Sequence, residues 1–252
     1  NKVSPATGTA FALGDSGDTF TVPSGATIVN SGTATGFGIT SASFLPNAQP
    51  LIMNGDMAVA QRSTSVASIT TTGYKTVDRF GISNIMGTWT QTQESLTADE
   101  AFEDGFANAW KMDCTTADAS VAADDQCRLQ QRFEGQDLQL FKKGTSNAES
   151  YTVAFWVKAT KTGTNILELY DSDAGRQCSQ SYTVDSTDTW EFKVINFPAD
   201  TTGTLADDNS AQLTIYWWLA AGTDFTSGTL SETWTSQTPA NRAVGQVNNV
   251  DS

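Results

Sequence analysis

Histidine is absent from all 252 residues. Its absence removes the side chain that titrates nearest neutrality, and with it Ser-His-Asp and Cys-His nucleophile activation and the usual zinc sites. Positive charge is scarce as well: 14 Lys and Arg stand against 28 Asp and Glu, a net charge of −14. Such a surface repels phosphate backbones and anionic headgroups, so neither nucleic acid nor a membrane surface is an expected partner. No run of eighteen apolar residues occurs, and no charged segment followed by an apolar one opens the chain, so neither membrane insertion nor a secretory signal is expected. The first residue is Asn1 rather than Met, which suggests a piece of a longer polypeptide. The three cysteines, Cys114, Cys127 and Cys178, have no CxxC spacing and are expected as buried free thiols. A Cys114–Cys127 bridge would need their strands to pair. No metal or cofactor is expected.

The first fifty residues lack bulk. They hold three charged residues, Lys2, Asp15 and Asp18, no Trp or Tyr, and 28 residues that are Gly, Ala, Ser or Thr. A segment so poor in large apolar groups cannot build a core alone. Yet DTFTVPSGATIVNSGTATG alternates too regularly for a random linker, with Phe20, Val22 and Ile28 as single apolar rungs and Pro23-Ser24-Gly25 as a turn. This predicts a prism-like oligomeric β stalk over residues 1–45, wrapped by three chains. A neck over 46–50 follows, within FLPNAQP (44–50), where Pro46 and Pro50 stiffen the backbone.

From Leu51 the pattern becomes that of an antiparallel β-sandwich head, residues 51–252. Strands are expected at 88–95, 109–116, 128–134, 151–159, 166–171, 179–185, 190–197 and 212–220. Period-2 alternation assigns inward faces: Tyr151, Val153, Phe155 and Val157; Leu213, Ile215, Trp217 and Leu219; and Trp190, Phe192 and Val194, with Glu191 and Lys193 outward. About eight strands with turn-rich spacers match a jelly roll, so the fold class is all-β. One short surface helix is expected over 136–144, stopped by Gly144 and placed to plug an end of the sandwich.

Several motifs invite chemistry. Gly14-Asp15-Ser16-Gly17-Asp18 has an esterase-like serine but no base to activate it. Asp171-Ser172-Asp173-Ala174-Gly175 places its Gly fifth and Tyr182 twelfth, unlike an EF-hand, and reads as an acidic hairpin turn. Asp200, Asp207 and Asp208 are further carboxylates for a dispersed calcium site, which no spacing defines. Asp99-Glu100-Glu103-Asp104 reads as a solvated loop. Arg62 and Arg79 are each expected to pair with a carboxylate such as Asp56 or Asp78, and Asn54-Gly55 to form a turn tolerant of positive φ.

LIMNGDMAVAQR (51–62) and GYKTVDRF (73–80) resemble a family of bacteriophage virion proteins, the tail fibres and related fibres of marine and other podovirus-like phages. CTTADAS, QQRFEGQDLQ, FWVKATKTGT, YWWLAAGT and ANRAVGQ extend the likeness to roughly residues 51–248. Ser63 departs from it, standing where Gly commonly follows Gln-Arg. The resemblance implies a carbohydrate-binding-module-like jelly-roll head on a stalk, a virion location after assembly in the host cytoplasm, and a homotrimer joined to other virion proteins. The expected role is non-enzymatic: attachment to host-surface polysaccharide. The alternatives are a polysaccharide depolymerase and a purely structural decoration or connector. Since pyranose faces stack on aromatic rings, the candidate ligand-binding residues are Trp218 and Trp156, both on strand faces opposite the assigned core. A helix, a loop or a neighbouring chain could instead cover them.

Overall fold

The computed structural model of the protein describes residues 51–84 and 86–250. The stalk expected over 1–45, the neck over 46–50 and the Gly14–Asp18 motif lie outside the described residues.

Eleven strands occur among these residues: β1 (Ser65–Ile69), β2 (Phe80–Asn84), β3 (Thr88–Ser95), β4 (Asn108–Thr116), β5 (Gln126–Glu134), β6 (Tyr151–Val157), β7 (Gly163–Asp171), β8 (Arg176–Val184), β9 (Glu191–Phe197), β10 (Ala211–Ala221) and β11 (Thr235–Ser236). The protein is all-β, and its strand pairings are antiparallel. A six-stranded sheet has the order β11-β8-β7-β10-β5-β2; β1-β3-β4 and β6-β9 form two smaller sheets. Strands β3 to β10 are those marked by alternation. The pattern of β1 is hidden because its register slips between Val66 and Ile69, around Ser68 at φ 58°.

The register explains the core. Ile215 on β10 lies opposite Leu169 on β7 and Gln131 on β5, and Trp217 lies opposite Leu167 and Leu129. Residues of this parity face the two smaller sheets. Towards β7 and β8 they meet Tyr151, Val153, Phe155, Ile195 and Phe197 of β6–β9. Towards β2 and β5 they meet Ile69, Trp89 and Met112 of β1–β3–β4. Rings connect the two clusters: Phe80 to Trp110 (5.5 Å) and Trp217 (6.3 Å), and Phe155 to Trp217 (6.0 Å) and Tyr182 (5.2 Å). Each fully buried Leu, Ile or Phe contributes about 1.5–3 kcal/mol, which is why the alternation is so legible here.

The opposite face of the large sheet is buried too. Ile166, Tyr216 and Trp218 pack under Phe225, Leu230 and Ala243 from the segment that follows β10. That segment contains the short helix α2 (Thr223–Thr226) and a 3-10 turn at Pro239–Asn241. Gly222 admits the close turn into it, since a Cβ there would lie 2.0 Å from the Ala122 carbonyl oxygen.

Three expectations are corrected. First, β9 is phased the other way: Phe192 and Val194 are exposed, while Ile195 and Phe197 join the core. Lys193 pairs in register with inward-facing Phe155, so it lies on the inner side with Glu191. The two form an ion pair at 2.6 Å, and Glu191 also accepts from the Asp185 and Ser186 amides at 2.9 and 2.8 Å. Second, the acidic stretch at 99–104 is a helix, α1 (Glu100–Glu103), whose N-cap Asp99 accepts from the Phe102 amide. Third, the helix expected over 136–144 is a 3-10 helix at Gly135–Phe141, ended by Lys142 at φ 50°. Its Leu138 is fully buried, and Phe141 stacks on Tyr151 with ring centroids 4.0 Å apart. Cys127 and Cys178 carry free thiols, and Cys114 and Cys127 lie on strands of different sheets. Burial pushes the Cys178 thiol up to about 12, which leaves it protonated and unreactive at neutral pH.

One buried polar centre ties loops at the ends of β7, β8 and β9. The ammonium of Lys143 bonds Asp171, Asp200 (2.9 Å) and the Gly203 carbonyl (3.0 Å). Arg176 grips Asp200 through Nε (2.7 Å) and Nη2 (2.9 Å). Asp171 also accepts from the Asp173 and Ala174 amides, both at 2.9 Å. Two carboxylates against two cations leave the centre neutral, as burial requires. Burial by itself would raise the Asp200 pKa, but the hydrogen bonds from Arg176, Lys143 and the Thr202 amide prevail and hold it below its ordinary 3.8.

Lys143→Ala leaves buried Asp171 without a cation and Asp200 with Arg176 alone, and is expected to cost about 3–5 kcal/mol, read as a lower urea midpoint at unchanged slope. Because the folded-state pKa of Asp200 is depressed, its stabilisation is present above pH 3.8 and is lost as pH falls below that value through the folded pKa. Urea titrations between pH 6 and pH 2.5 check the sign.

Candidate functional site

The outer face of β6–β9 is a graded row. Its cross-strand pairs run from Thr152–Asn196 through Ala154–Val194 to Trp156–Phe192. Thr152 Oγ1 donates to Asn196 Oδ1 at 2.8 Å. Trp156 and Phe192 meet with centroids 5.4 Å apart and planes tilted by 49°. Phe192 remains 54% exposed and Val194 53%, so the row is an apolar strip open to solvent. Beyond the rings, Lys158 lies 5.9 Å over the Trp190 ring, whose indole donates to Asp99 Oδ2 at 2.8 Å. Trp156 is therefore outward, as expected, and half-buried against Phe192. Phe192 was missed because β9 was phased by its hydrophobic residues; the register with β6 assigns it to the outside.

Trp218 is different. It does lie on the face opposite Leu213 and Ile215, but its exposure is 0%. Its indole donates to Glu168 Oε2 at 2.9 Å, Phe225 packs against it at 5.4 Å, and Arg128 and Arg242 lie 4.7 and 5.5 Å from its ring. A ring sealed in this way offers no face to a sugar. The covering loop is residues 222–250, a polar stretch whose few apolar anchors carry no periodicity.

A second feature lies at the β2–β5 edge: a cavity of about 410 Å³ lined by Arg62, Tyr74, Asp78, Arg79, Arg132 and Glu134, among others. The Asn-Gly segment braces one lining residue, Asp78. Asn54, at φ 57°, donates to the carbonyls of Val59 (2.9 Å) and Asp78 (3.0 Å) and accepts from the Val59 amide (2.9 Å). Gln131 fastens the same segment to β5 by accepting from the Met53 amide (2.8 Å) and donating to its carbonyl (2.9 Å). Arg62 pairs with Asp78 at 3.0 Å, as expected, and its guanidinium lies 5.7 Å from the Tyr74 ring centroid. Among the described residues Arg79 has no ion pair.

Three of the carboxylates considered for calcium are otherwise engaged. Lys143 holds Asp171 and Asp200, and Asp208 accepts from Ser210 and Gln212. Among the described residues no three His, Cys, Asp or Glu side chains group as metal ligands, and no helix is long and apolar enough to cross a membrane. No protein-family model, curated protein or solved structure matches this chain.

The sealed Trp218 and the open outer row should separate in a stability measurement. Trp218→Ala removes a fully buried ring and orphans its Glu168 contact, for an expected loss of about 3–5 kcal/mol in urea unfolding. Phe192→Ser on the outer row should change stability by no more than about 0.5 kcal/mol. Equal effects of the two would contradict the burial described.

Proposed function

We propose that this chain is a non-enzymatic structural protein of a tailed-phage virion, a tail fibre or similar appendage, whose jelly-roll head adheres to host-surface glycan. The observation that carries the binding reading is the outward Trp156–Phe192 pair on β6–β9, with Phe192 exposed and Trp156 half-buried. The likeness of LIMNGDMAVAQR and GYKTVDRF to fibre heads supports the viral assignment, and the core-poor composition of residues 1–50 supports the stalk and the trimer.

In this reading the C–H face of a pyranose lies on the Trp156–Phe192 rings, and Val194 extends the contact along the strand. The polar ends of the row, Thr152–Asn196 and Lys158, meet hydroxyl groups at its borders. A flat, open row of this kind gives weak single-site affinity. Three heads on one stalk raise the effective concentration of each for the next, so adhesion comes from valence and not from one deep site. A depolymerase would need two carboxylates flanking the bound sugar. Asp99, which reaches the row through Trp190, is already engaged by that indole and by the Phe102 amide.

A stacking contact worth about 1–1.5 kcal/mol corresponds to roughly tenfold in affinity, so Trp156→Ala should weaken glycan binding about tenfold per head with the thermal midpoint nearly unchanged. Glycan-array binding by the intact chain, compared with this variant, reads it. Undiminished binding by the variant would remove the row from the account. Silence of the intact chain on host polysaccharides would favour a connector that contacts only virion neighbours.

A further inference from the structure

The arginine-lined cavity at the β2–β5 edge carries a separate demand. In a chain with twice as many acids as bases, Arg62, Arg79 and Arg132 converge on one cleft. The two acids that share it are already engaged: Asp78 by Arg62 and the Gln61 amide (3.0 and 3.3 Å), and Glu134 by the Gln136 side chain (2.8 Å). Among the described residues, neither Arg79 nor Arg132 has a carboxylate partner.

Their placement is unfavourable without one. The β2–β5 ladder begins at the Phe80–Gln131 pair; Arg79 precedes Phe80, Arg132 follows Gln131, and both line the cleft. Like charges that line one cleft repel. Arg79 is also held at φ 72°, in the left-handed region that a long side chain seldom adopts. A repelling pair, a strained backbone and a cleft of about 410 Å³, within the range of small-ligand sites, occur at the same place.

We propose that this cleft binds a carboxylate-bearing saccharide, a hexuronate-type unit, through the guanidinium groups of Arg79 and Arg132. Two forked donors match a planar carboxylate with bidentate hydrogen bonds, and the bound charge relieves their mutual repulsion. Tyr74, 40% exposed in the same lining, supplies a ring for the sugar's apolar face. The proposal goes beyond the reading of the outer row and stands on different residues: it adds a second subsite with selectivity for acidic glycan.

Calorimetric titration of the full chain tests it, with the Trp156→Ala background used to silence the outer row. The probes are a short oligouronate, its neutral counterpart of equal length, and inorganic sulfate and phosphate. Expected are binding of the oligouronate, a fall in affinity with added salt, and no binding of the neutral sugar. Arg132→Gln and Arg79→Gly, the latter chosen because glycine accepts the backbone angle, should each weaken it about tenfold or more at unchanged thermal midpoint. Arg132→Lys should recover only part of the loss. Equal binding of acidic and neutral sugars, or full affinity in folded Arg132→Gln, overturns the proposal. Sulfate or phosphate binding as tightly as the oligouronate also overturns it, leaving an anion site without sugar recognition.

Discussion

The ion pair between Glu168 and Arg242 closes the far face of the six-stranded sheet, and much else follows from it. Glu168 is fully buried in the middle of β7 and accepts from Arg242 Nε at 2.6 Å and Nη2 at 3.0 Å. Burial by itself would lower the Arg242 pKa, but the charge and hydrogen bonds of Glu168 outweigh it and raise it. A carboxylate at that position cannot be left unpaired, so the polar segment after β10 must return across the sheet to deliver its arginine. Ser179 Oγ holds the returning backbone at the Arg242 carbonyl at 2.8 Å, and Phe225, Leu230 and Ala243 arrive with it. Arg128, 7% exposed, adds a second guanidinium 4.2 Å from the Tyr216 ring, its Nε and Nη1 without hydrogen-bond partners among the described residues. The ring faces compensate part of its desolvation, which together with the nearby charge of Arg242 lowers its pKa to about 10.

A large sheet covered on both faces over its central strands leaves little surface there for a ligand. The two binding sites proposed above fall where that cover ends: the outer side of the two-stranded β6–β9 sheet and the cleft at the β2 edge. These two places differ in kind. One is apolar and flat; the other is cationic and concave. The acidity of the whole chain sharpens the contrast, because a cationic cleft on such a surface concentrates the field that acts on an approaching anion.

Much of the scaffold was legible in the residues. QLTIYWWLA and YTVAFWVKA announce their strands and their inward faces because large apolar groups there alternate without interruption. The phase of β9 was not legible: its hydrophobic residues occupy both parities, and only pairing with β6 decides between Phe192 and Ile195. Nor was the burial of Trp218, since adjacent Trp217 and Trp218 require two covered faces, and the second cover comes from residues 222–250, whose anchors are scattered. The buried Lys143 centre joins residues 28 and 57 positions apart in sequence, from Asp171 and Asp200, beyond the reach of local pattern. The arginine cleft was half visible: Arg62 with Asp78 follows from charge scarcity, whereas Arg79 beside Arg132 follows only from the β2–β5 register.

The sealed face can be tested directly by hydrogen exchange of the Trp218 indole N–H, followed by NMR beside that of Trp156. The account predicts that the Trp218 proton, bonded to Glu168 beneath the returning segment, exchanges only through global unfolding. Exchange of Trp218 at the rate of an open indole in the native protein would contradict it, because the second face of the sheet would then be accessible.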